Sequence, residues 1–396
     1  MISLDEALSL IRNRIEPLAS EAITIGEARG RWLAAPVIAT RTQPPFDASA
    51  MDGYAVRAAD LSGMMVSLKL AGESAAGHSS ERKLGPGEAF RISTGAPMPA
   101  GADQVVIQEN CTRKAASIHT SEASLPGKHI RRAGLDFKIG DKLLEPVRRL
   151  SASAISLAAS SGQVALAVSR QPIVGILSTG DELVEIGEPA RPDQIINSLA
   201  PGLTALVREW GGQPHYLGIA KDDPADVRDK LAAIGELDLL VTIGGASVGD
   251  HDHLRRVFAE QGGDLIFEKI AIKPGKPTWF GTLGKTHVIG LPGNPVSAHV
   301  MAQLCLKPAM DRLLGVHAPA TFCEATLGVE LPANGERENM IRARHDPSTG
   351  LIAPLVKQDS SALSALMLSN ALIRRSANAG PAASGETVEF LPLGSG

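Results

Sequence analysis

The sequence predicts a multidomain protein with α/β and β parts, organised around a central doubly wound α/β domain. A chain of 396 residues is longer than one typical domain. Strand and helix patterns alternate over about 140 residues in its second half, which is typical of a sheet covered by helices on both faces. On either side of this part, short β-like segments are separated by Gly/Pro turns, which indicates smaller β domains.

The composition narrows the class of protein. Hydrophobic residues make up 44% of the chain, charged residues 21%, and the net charge is −4, so we expect a soluble protein without nucleic-acid or membrane partners. The cysteines Cys111, Cys305 and Cys323 have no metal-ligand spacing and are odd in number, which favours a reducing cytoplasm. The first eleven residues, MISLDEALSLI, are acidic and amphipathic, unlike a signal peptide. A cytoplasmic location is therefore expected.

The N-terminal part combines a helical start with a β region that interrupts it. Apolar residues from Leu4 to Ile15 have helical spacing, and we expect residues 1–38 to be helical. A proline-marked break follows, then short β-like segments up to about Arg132, and helix and apolar strand patterns return at 136–169. The predicted domains are 1–47 with 136–169, an inserted β domain at 48–135, an α/β domain at 170–316 and a C-terminal β domain at 317–396.

The α/β domain is predicted from strands and helices that follow one another closely. In chain order, these are a strand at 173–177, a helix at 199–210, a strand at 216–220, a helix up to 234, a strand at 237–243 and a helix from 254. Gly211 and Gly212 end the first helix, and Asp223 with Pro224 begins the second. Such short crossovers place the carboxyl ends of the strands at one edge of the sheet.

Three turns at that edge carry acidic residues. One of these turns is a glycine loop, which includes Gly244, Gly245, Ser247 and Gly249. This loop could bind a phosphate, although a tight connection without a ligand explains it equally well. The acids are Asp181 with Glu182, Asp222 with Asp223, and Asp250 with Asp252. Taken singly, each is explained as a helix cap. Together, they are oxygen ligands suited to Mg²⁺ beside a phosphate. The pair His251 and His253 lacks a third spaced ligand for zinc.

Two further turns favour an oxyanion. Lys273 and Lys276 lie on a turn stiffened by proline, which includes Pro277, although a solvated basic turn is the alternative. A buried strand then leads through Pro292 and Pro295 into a helix that carries Ser297, either as an oxyanion ligand or as an ordinary first-turn residue.

These turns, in this order, resemble the molybdopterin molybdenumtransferase family, which includes MoeA and the E-domain of gephyrin. The resemblance covers essentially the whole chain and is carried by the segments 44–47, 50–56, 93–99, 101–103, 131–136, 178–183, 244–252, 273–277 and 291–297. It implies an elongated N-terminal dimerisation domain, a molybdopterin-binding α/β domain and a C-terminal β-barrel-like domain. It also implies a homodimer whose cleft is shared between the α/β domain of one subunit and the small β domain of the other.

The resemblance implies a reaction and a set of site residues. Adenylylated molybdopterin and molybdate would be the substrates, Mg²⁺ the cofactor, and AMP and molybdenum cofactor the products. The implied catalytic residues are Asp52, Thr94, Asp136, Asp181, Glu182 and Asp252, of which Asp181, Glu182 and Asp252 would bind the metal. Substrate phosphate would contact Gly244, Gly245, Ser247, Gly249, Asp222, Asp223, Pro292 and Pro295. Molybdate would contact Lys273, Lys276, Pro277, Ser297, Arg342 and Ser360 or Ser361.

Two positions depart from the family pattern. Leu199 stands where an asparagine is usual, so a polar contact is either missing or supplied by Asn197, and Met340 replaces an aromatic residue close to Arg342. A pterin-binding or scaffolding protein on the same fold is the alternative function, and an unrelated phosphoanhydride hydrolase is a further one. The latter is disfavoured because the chain lacks a Walker A loop and a GxGxxG fingerprint.

Overall fold

The structure, a computed structural model, describes residues 1–78, 80–245, 253–317 and 322–394. Its contacts divide the chain into two units, one formed by Met1–Glu21 with Ser169–Gly396 and the other by Ala22–Val168. The predicted division into four domains stays a prediction. It differs from the observed division at the N-terminus, because Met1–Glu21 belongs with the α/β part and not with residues 136–169.

A six-stranded sheet forms the centre of the first unit. Its strands, in spatial order, are Gln213–Ala220, Ile173–Thr179, Leu239–Ile243, Thr286–Leu291, Trp279–Leu283 and Asp264–Phe267. The first four are parallel, and the last two are antiparallel to their neighbours. All residues of the strand Leu239–Ile243 are buried, as expected for a strand covered on both faces.

Helices cover both faces of this sheet, which confirms the doubly wound prediction. Leu239 and Val241 belong to one core cluster and the intervening Leu240 to another, because successive strand side chains point to opposite faces. Helices on the first face are Leu4–Arg14, Leu199–Glu209, Pro295–Met301 and Lys307–Leu313; helices on the second are Pro224–Ala232 and His253–Glu260. A π turn, Ala302–Leu306, precedes Pro308, whose missing N–H cannot continue α-helical bonding.

The prediction that residues 1–38 are helical is wrong beyond the first helix. Leu4–Arg14 is helical, begins with a capping box between Ser3 and Glu6, and buries its apolar stripe in the core of the first unit. The strands Ser20–Thr24 and Val37–Ile38 follow instead of further helix. Helical spacing identified the amphipathic stripe, but it carried no information about which sheet the stripe covers.

The C-terminal β domain closes on itself. Its strands, in spatial order, are Glu338–Asp346, Leu351–Pro354, Cys323–Leu327, Thr387–Pro392 and Ala371–Arg375, and the last also pairs with the first. The barrel-like prediction is therefore confirmed. A short strand of the α/β part, Ile272–Lys273, extends this sheet by pairing with Glu338 and Asn339. The helix Leu363–Met367 lies in the connection before the last two strands.

The second unit contains a separate six-stranded sheet. In spatial order its strands are Gln104–Ile107, Gly53–Val56, Glu88–Ile92, Val66–Ser74, Ser117–Thr120 and Cys111–Lys114. Segments before and after this sheet pair with each other: Val37–Ile38 with Lys142–Leu144, and Ala48–Ser49 with Ile130–Arg131. The helix Ala152–Ser160 and the strand Ala165–Ser169 follow. Leu33 and Val37 share a core cluster with Leu144 and Leu166, as an inserted β region requires.

Candidate functional site

A basic cavity lies between the α/β part and the C-terminal sheet of the first unit. Its volume is about 800 Å³. Seven residues predicted from the sequence to bind the substrates line this cavity: Lys273, Lys276, Pro277, Pro292, Ser297, Arg342 and Ser360. They come from segments far apart in the chain, so only the folded protein brings them together.

The lysine turn, residues 273–277, is fixed at both ends. Lys273 pairs with Asn339 of the C-terminal sheet, and Thr278 donates hydrogen bonds to the carbonyl oxygen of Gly275 from its backbone N–H and its hydroxyl. Gly275 has φ +110°, and a Cβ there would lie 2.3 Å from the Cγ of Met301. Glycine is therefore required for the turn to pack against the helix behind it.

The start of the helix Pro295–Met301 forms another part of the cavity wall. Ser297 is only 4% exposed and lines the cavity. The N–H of Val296 donates to the carbonyl oxygen of Ser360 over 3.0 Å, which ties this helix to the C-terminal domain. Pro295 occupies the first turn, where its missing N–H costs nothing. Ser361, by contrast, donates from its N–H and its hydroxyl to Asp359, so Ser360 is the serine that faces the cavity.

Arg342 is the most buried charge of the basic cavity. It is 2% exposed, and its Nη2 donates to the carbonyl oxygens of Lys357 and Asp359 over 2.9 and 3.0 Å. Its Nε is buried without a hydrogen-bond partner among the described residues. Burial lowers the pKa of this guanidinium, and Asp359 partly opposes the shift. Arg342 is one of the residues that line the cavity, so its positive charge favours an anion there.

Several cavity residues were not found from the sequence. Arg337, Asn339 and Gln358 line the cavity, and Gln358 holds the backbone of Arg342 by accepting from its N–H and donating to its carbonyl oxygen. Arg337 and Asn339 belong to the C-terminal sequence motif that contains Arg342, but the motif alone gave them no role in the site. Met340 also lines the cavity and is buried, so the aromatic residue usual in the family is replaced without removing Arg342 from the site.

A second group of residues, which we call the acidic edge, consists of Asp181, Glu182 and Asp222. All three are exposed, and they follow parallel strands of the central sheet. The N–H of Asp222 donates to Oδ1 of Asp181 over 3.1 Å, so two of the predicted turns meet as expected. Asp223 instead caps the helix Pro224–Ala232 by accepting from the N–H groups of Ala225 and Asp226. Of this adjacent pair, Asp222 is the residue available to a ligand.

The glycine turn lies between the acidic edge and the basic cavity. Gly244 and Gly245 have φ values of +88° and +58°, and a Cβ on Gly244 would lie 2.6 Å from the carbonyl oxygen of Thr179. A Cβ on Gly293, next to Pro292 of the cavity, would lie 3.5 Å from the Cα of Gly244. The backbones of three turns therefore approach closely at one edge of the sheet, and a side chain on Gly244 would prevent this approach.

Part of the predicted site lies outside the described residues, namely Ser247, Gly249 and Asp252. Within the described ranges, no group of three or more His, Cys, Asp or Glu side chains is arranged to hold a metal ion. The predicted set of Asp181, Glu182 and Asp252 thus stays a prediction.

Three predicted residues belong to the second unit. Asp52 accepts hydrogen bonds from the backbone N–H and the hydroxyl of Thr94 over 2.6 and 3.0 Å. These bonds lower the pKa of Asp52, with the backbone N–H as the largest cause. Asp136 is exposed, and its N–H donates to the carbonyl oxygen of Gln43. The structure brings Asp52 and Thr94 together; it tests no role for them.

Comparisons with known proteins agree with this architecture. The chain matches the "MoeA N-terminal region (domain I and II)" over residues 2–162, the "Probable molybdopterin binding domain" over 175–312 and the "MoeA C-terminal region (domain IV)" over 324–393. The structure superposes on the molybdopterin biosynthesis MoeA protein of Pyrococcus horikoshii with a TM-score of 0.86 and 29% identity, covering 100% of both chains. The fold and the site thus define a multidomain protein built on a molybdopterin-binding type of α/β domain.

Curated relatives narrow this class further. Three proteins named molybdopterin molybdenumtransferase are similar to the chain. The protein of Haemophilus influenzae is 40% identical, over 80% of this chain and 78% of the relative, and that of Nostoc sp. is 35% identical, over 86% of this chain and 81% of the relative. The protein of Bacillus subtilis is 33% identical, over 98% of this chain and 94% of the relative. The chain belongs to the molybdopterin molybdenumtransferase family. The resemblance seen in the sequence motifs is therefore confirmed.

Proposed function

We propose that this protein is a molybdopterin molybdenumtransferase that inserts molybdenum from molybdate into adenylylated molybdopterin, releases AMP and yields molybdenum cofactor. Membership of the family supports the enzyme class. The observation that carries the residue assignment is the basic cavity, which brings Lys273, Lys276 and Arg342 together from separate segments. The positive charges of these residues would attract an oxyanion such as molybdate.

The charges that line the basic cavity suit an anion such as molybdate. Lys273 and Lys276 supply positive charge at an exposed rim, while Arg342 supplies it at a buried position. Ser297 and Ser360 add polar groups from two other segments. Hydrogen bonds to charged groups are stronger than neutral ones, and fixed donors need no rearrangement when the anion binds.

The acidic edge fits the phosphate and metal side of the reaction. Mg²⁺ is commonly held by one or two carboxylates together with substrate phosphates, and Asp181, Glu182 and Asp222 offer such oxygens without a complete protein cage. When bound, the metal would neutralise charge on the phosphoanhydride. The carboxylates of this edge would orient the phosphate and the attacking water, which is most of what such a hydrolysis needs. Asp252 is kept as a proposed ligand.

The proposal also includes a homodimeric assembly and a cytoplasmic location. A homodimer would allow Asp52, Thr94 and Asp136 of a second copy to complete the site. A cytoplasmic location suits the free cysteines. Within the described residues, no helix has the length and apolar character needed to cross a membrane.

The proposal is tested with purified protein, adenylylated molybdopterin, molybdate and Mg²⁺. We expect AMP release that depends on both molybdate and the metal, and reconstitution of a molybdenum enzyme by the product. A folded protein that binds the pterin but releases no AMP with any divalent metal would support a scaffolding role instead. Turnover of simple nucleotides without pterin would indicate an unrelated hydrolase.

A further inference from the structure

One strand beside the acidic edge contains a bulge. Ile176 pairs with Tyr216 and Ser178 pairs with Ile219, so two residues of the edge strand Gln213–Ala220 face a single residue of its neighbour. Gly218 at this point has φ +85°. The Nζ of Lys230 donates to the carbonyl oxygen of Leu217 over 3.2 Å and holds the bulged backbone. Bulges of this kind re-aim side chains and often lie beside functional sites.

The bulge sets the position of Asp222. Beyond it, Thr179 pairs with Ala220, and the chain continues to Asp222, whose N–H reaches Asp181. A slip of one residue would move this turn by about 3.3 Å along the strand, which is longer than the hydrogen bond itself. The register of the bulge therefore decides whether these two turns meet.

A chain of hydrogen bonds starts at Tyr216, immediately before the bulge. Its hydroxyl donates to Oε1 of Glu185 over 2.7 Å and accepts from Nδ2 of Asn197 over 2.8 Å. The hydroxyl of Ser178 donates to Oδ1 of Asn197 over 3.2 Å. Asn197 and Ser178 are buried, so the bond between them lies out of contact with water, where hydrogen bonds are strongest. The Tyr216 hydroxyl lies closer to solvent, because 43% of that residue is exposed.

The same bonds anchor the segment that begins with Asp181 and Glu182. Within it, the N–H of Ile195 donates to the carbonyl oxygen of Glu182 over 2.8 Å, and the N–H of Asn197 donates to that of Val184 over 2.9 Å. Tyr216 thus links this segment to the strand that leads to Asp222. The side chain of Asn197 takes part in this linkage through both its Nδ2 and its Oδ1.

We propose that Tyr216 and Asn197 are positioning residues, which hold the Asp181–Glu182 turn against the Asp222 turn so that the acidic edge keeps the geometry needed for phosphate and metal. The inference deepens the proposed function and rests on it. Neither residue touches the basic cavity, so their effect is confined to the acidic side of the reaction.

The test uses Tyr216→Phe, which removes one hydroxyl and keeps the ring. In the unliganded protein, we expect amide hydrogen exchange in residues 181–198 and 221–223 to increase about fivefold, because the hydroxyl that joins the two segments through Glu185 and Asn197 is lost. In AMP release, we expect the Mg²⁺ concentration for half-maximal rate to rise about tenfold while the KM for molybdate stays unchanged. Ile195→Ala, an exposed change on the same segment, is the matched control and leaves exchange around Asp222 and the metal dependence unaltered.

Two results would overturn the proposal: exchange around Asp181 and Asp222 that equals that of the wild type, or a lowered Tm with unchanged metal dependence, which indicates a purely structural bond. If the wild type itself releases no AMP, the proposed function fails. The exchange measurement then decides by itself whether Tyr216 holds the two turns together.

Discussion

The basic cavity and the acidic edge lie at the same end of one sheet but hold their charges differently. In the cavity, the central charge of Arg342 is buried, bonded to backbone carbonyls and oriented by Gln358. At the acidic edge, Asp181 and Asp222 are exposed and meet through a single backbone hydrogen bond. One half of the site is therefore built into the core of the fold, whereas the other half lies on surface turns.

This difference indicates which half of the site can bind its ligand without the other half. The guanidinium of Arg342 is held by fixed hydrogen bonds before any substrate arrives, so it can attract an anion without rearrangement. Exposed carboxylates repel one another, and they can serve as ligands only when a cation binds together with the substrate phosphates. We therefore expect the cavity to bind molybdate without metal and the acidic edge to depend on Mg²⁺ and substrate together.

The largest effect is expected from Arg342→Met. The change removes the buried positive charge, and we expect kcat/KM for molybdate to fall at least about 100-fold, equivalent to about 2.7 kcal/mol. The carbonyl oxygens of Lys357 and Asp359 lose their donor, so the free energy of unfolding should also fall by about 1–3 kcal/mol. Steady-state AMP release and denaturant unfolding measure the two effects.

Arg344→Met is the matched control for this prediction. Arg344 lies on the same strand but is exposed, so we expect both quantities to stay at the wild-type value. An Arg342→Met protein that keeps its molybdate dependence would show that the buried charge serves stability alone, and the contrast between the two halves would disappear.

A smaller effect is expected from Asp181→Asn, which tests the other half. Asparagine keeps an acceptor for the N–H of Asp222 but loses the charge, so we expect AMP release to slow about 10- to 100-fold, less than the roughly 10²- to 10⁴-fold typical of a general acid or base. Molybdate binding, measured by calorimetry without metal, should be unchanged. Asp223→Asn is the control, because asparagine caps a helix as well as aspartate does. Equal losses in both variants would argue against a special role for the acidic edge.

A still smaller effect on the reaction is expected from Lys276→Gln. Lys276 is exposed at the rim of the cavity, so its attraction for molybdate is screened by salt. We expect the KM for molybdate to rise about fivefold at low ionic strength and to approach the wild-type value at about 1 M salt, where screening is nearly complete. Lys285→Gln, also exposed but outside the cavity, should show no change. A salt-independent loss in Lys276→Gln would place this lysine among the rigid groups with Arg342.

The smallest effect concerns Asp52 in the second unit, another exposed carboxylate bonded to a backbone N–H. Its pKa is lowered in the folded state, so the bond to Thr94 stabilises the turn above the ordinary pKa of aspartate, about 3.9, and is lost as the pH falls through the lowered value. We expect the exchange protection of the Thr94 amide, corrected for intrinsic rates, to fall over this acidic range. In Asp52→Asn it should not change with pH. A pH-independent wild type would contradict the assigned bond.

Much of the first unit was predictable because its signals are local. The buried strand at 237–243, the Asp223 cap and the helix stop at Gly211 all rest on neighbouring residues, and the structure bears them out as Leu239–Ile243, the helix Pro224–Ala232 and the helix Leu199–Glu209. The lysine turn and Ser297 were likewise placed by short motifs. Local chemistry and short crossovers leave few alternatives for such elements.

Other features could not be predicted because they depend on contacts between distant segments. The placement of the helix Leu4–Arg14, the orientation of Arg342 by Gln358 and the choice of Ser360 over Ser361 all follow from packing. The same is true of the bulge that aligns Asp222 with Asp181.

By itself, the sequence determined the family, the doubly wound sheet and the residue types that meet at the carboxyl edge of this sheet. It could do so because hydrophobic periodicity, helix caps and glycine turns each depend on residues that are close together in the chain. Only the tertiary structure decided which of these charges are buried and which stay in water. The physical reason is that burial, and with it the strength of a charge, is a property of the whole packed core and not of any one motif.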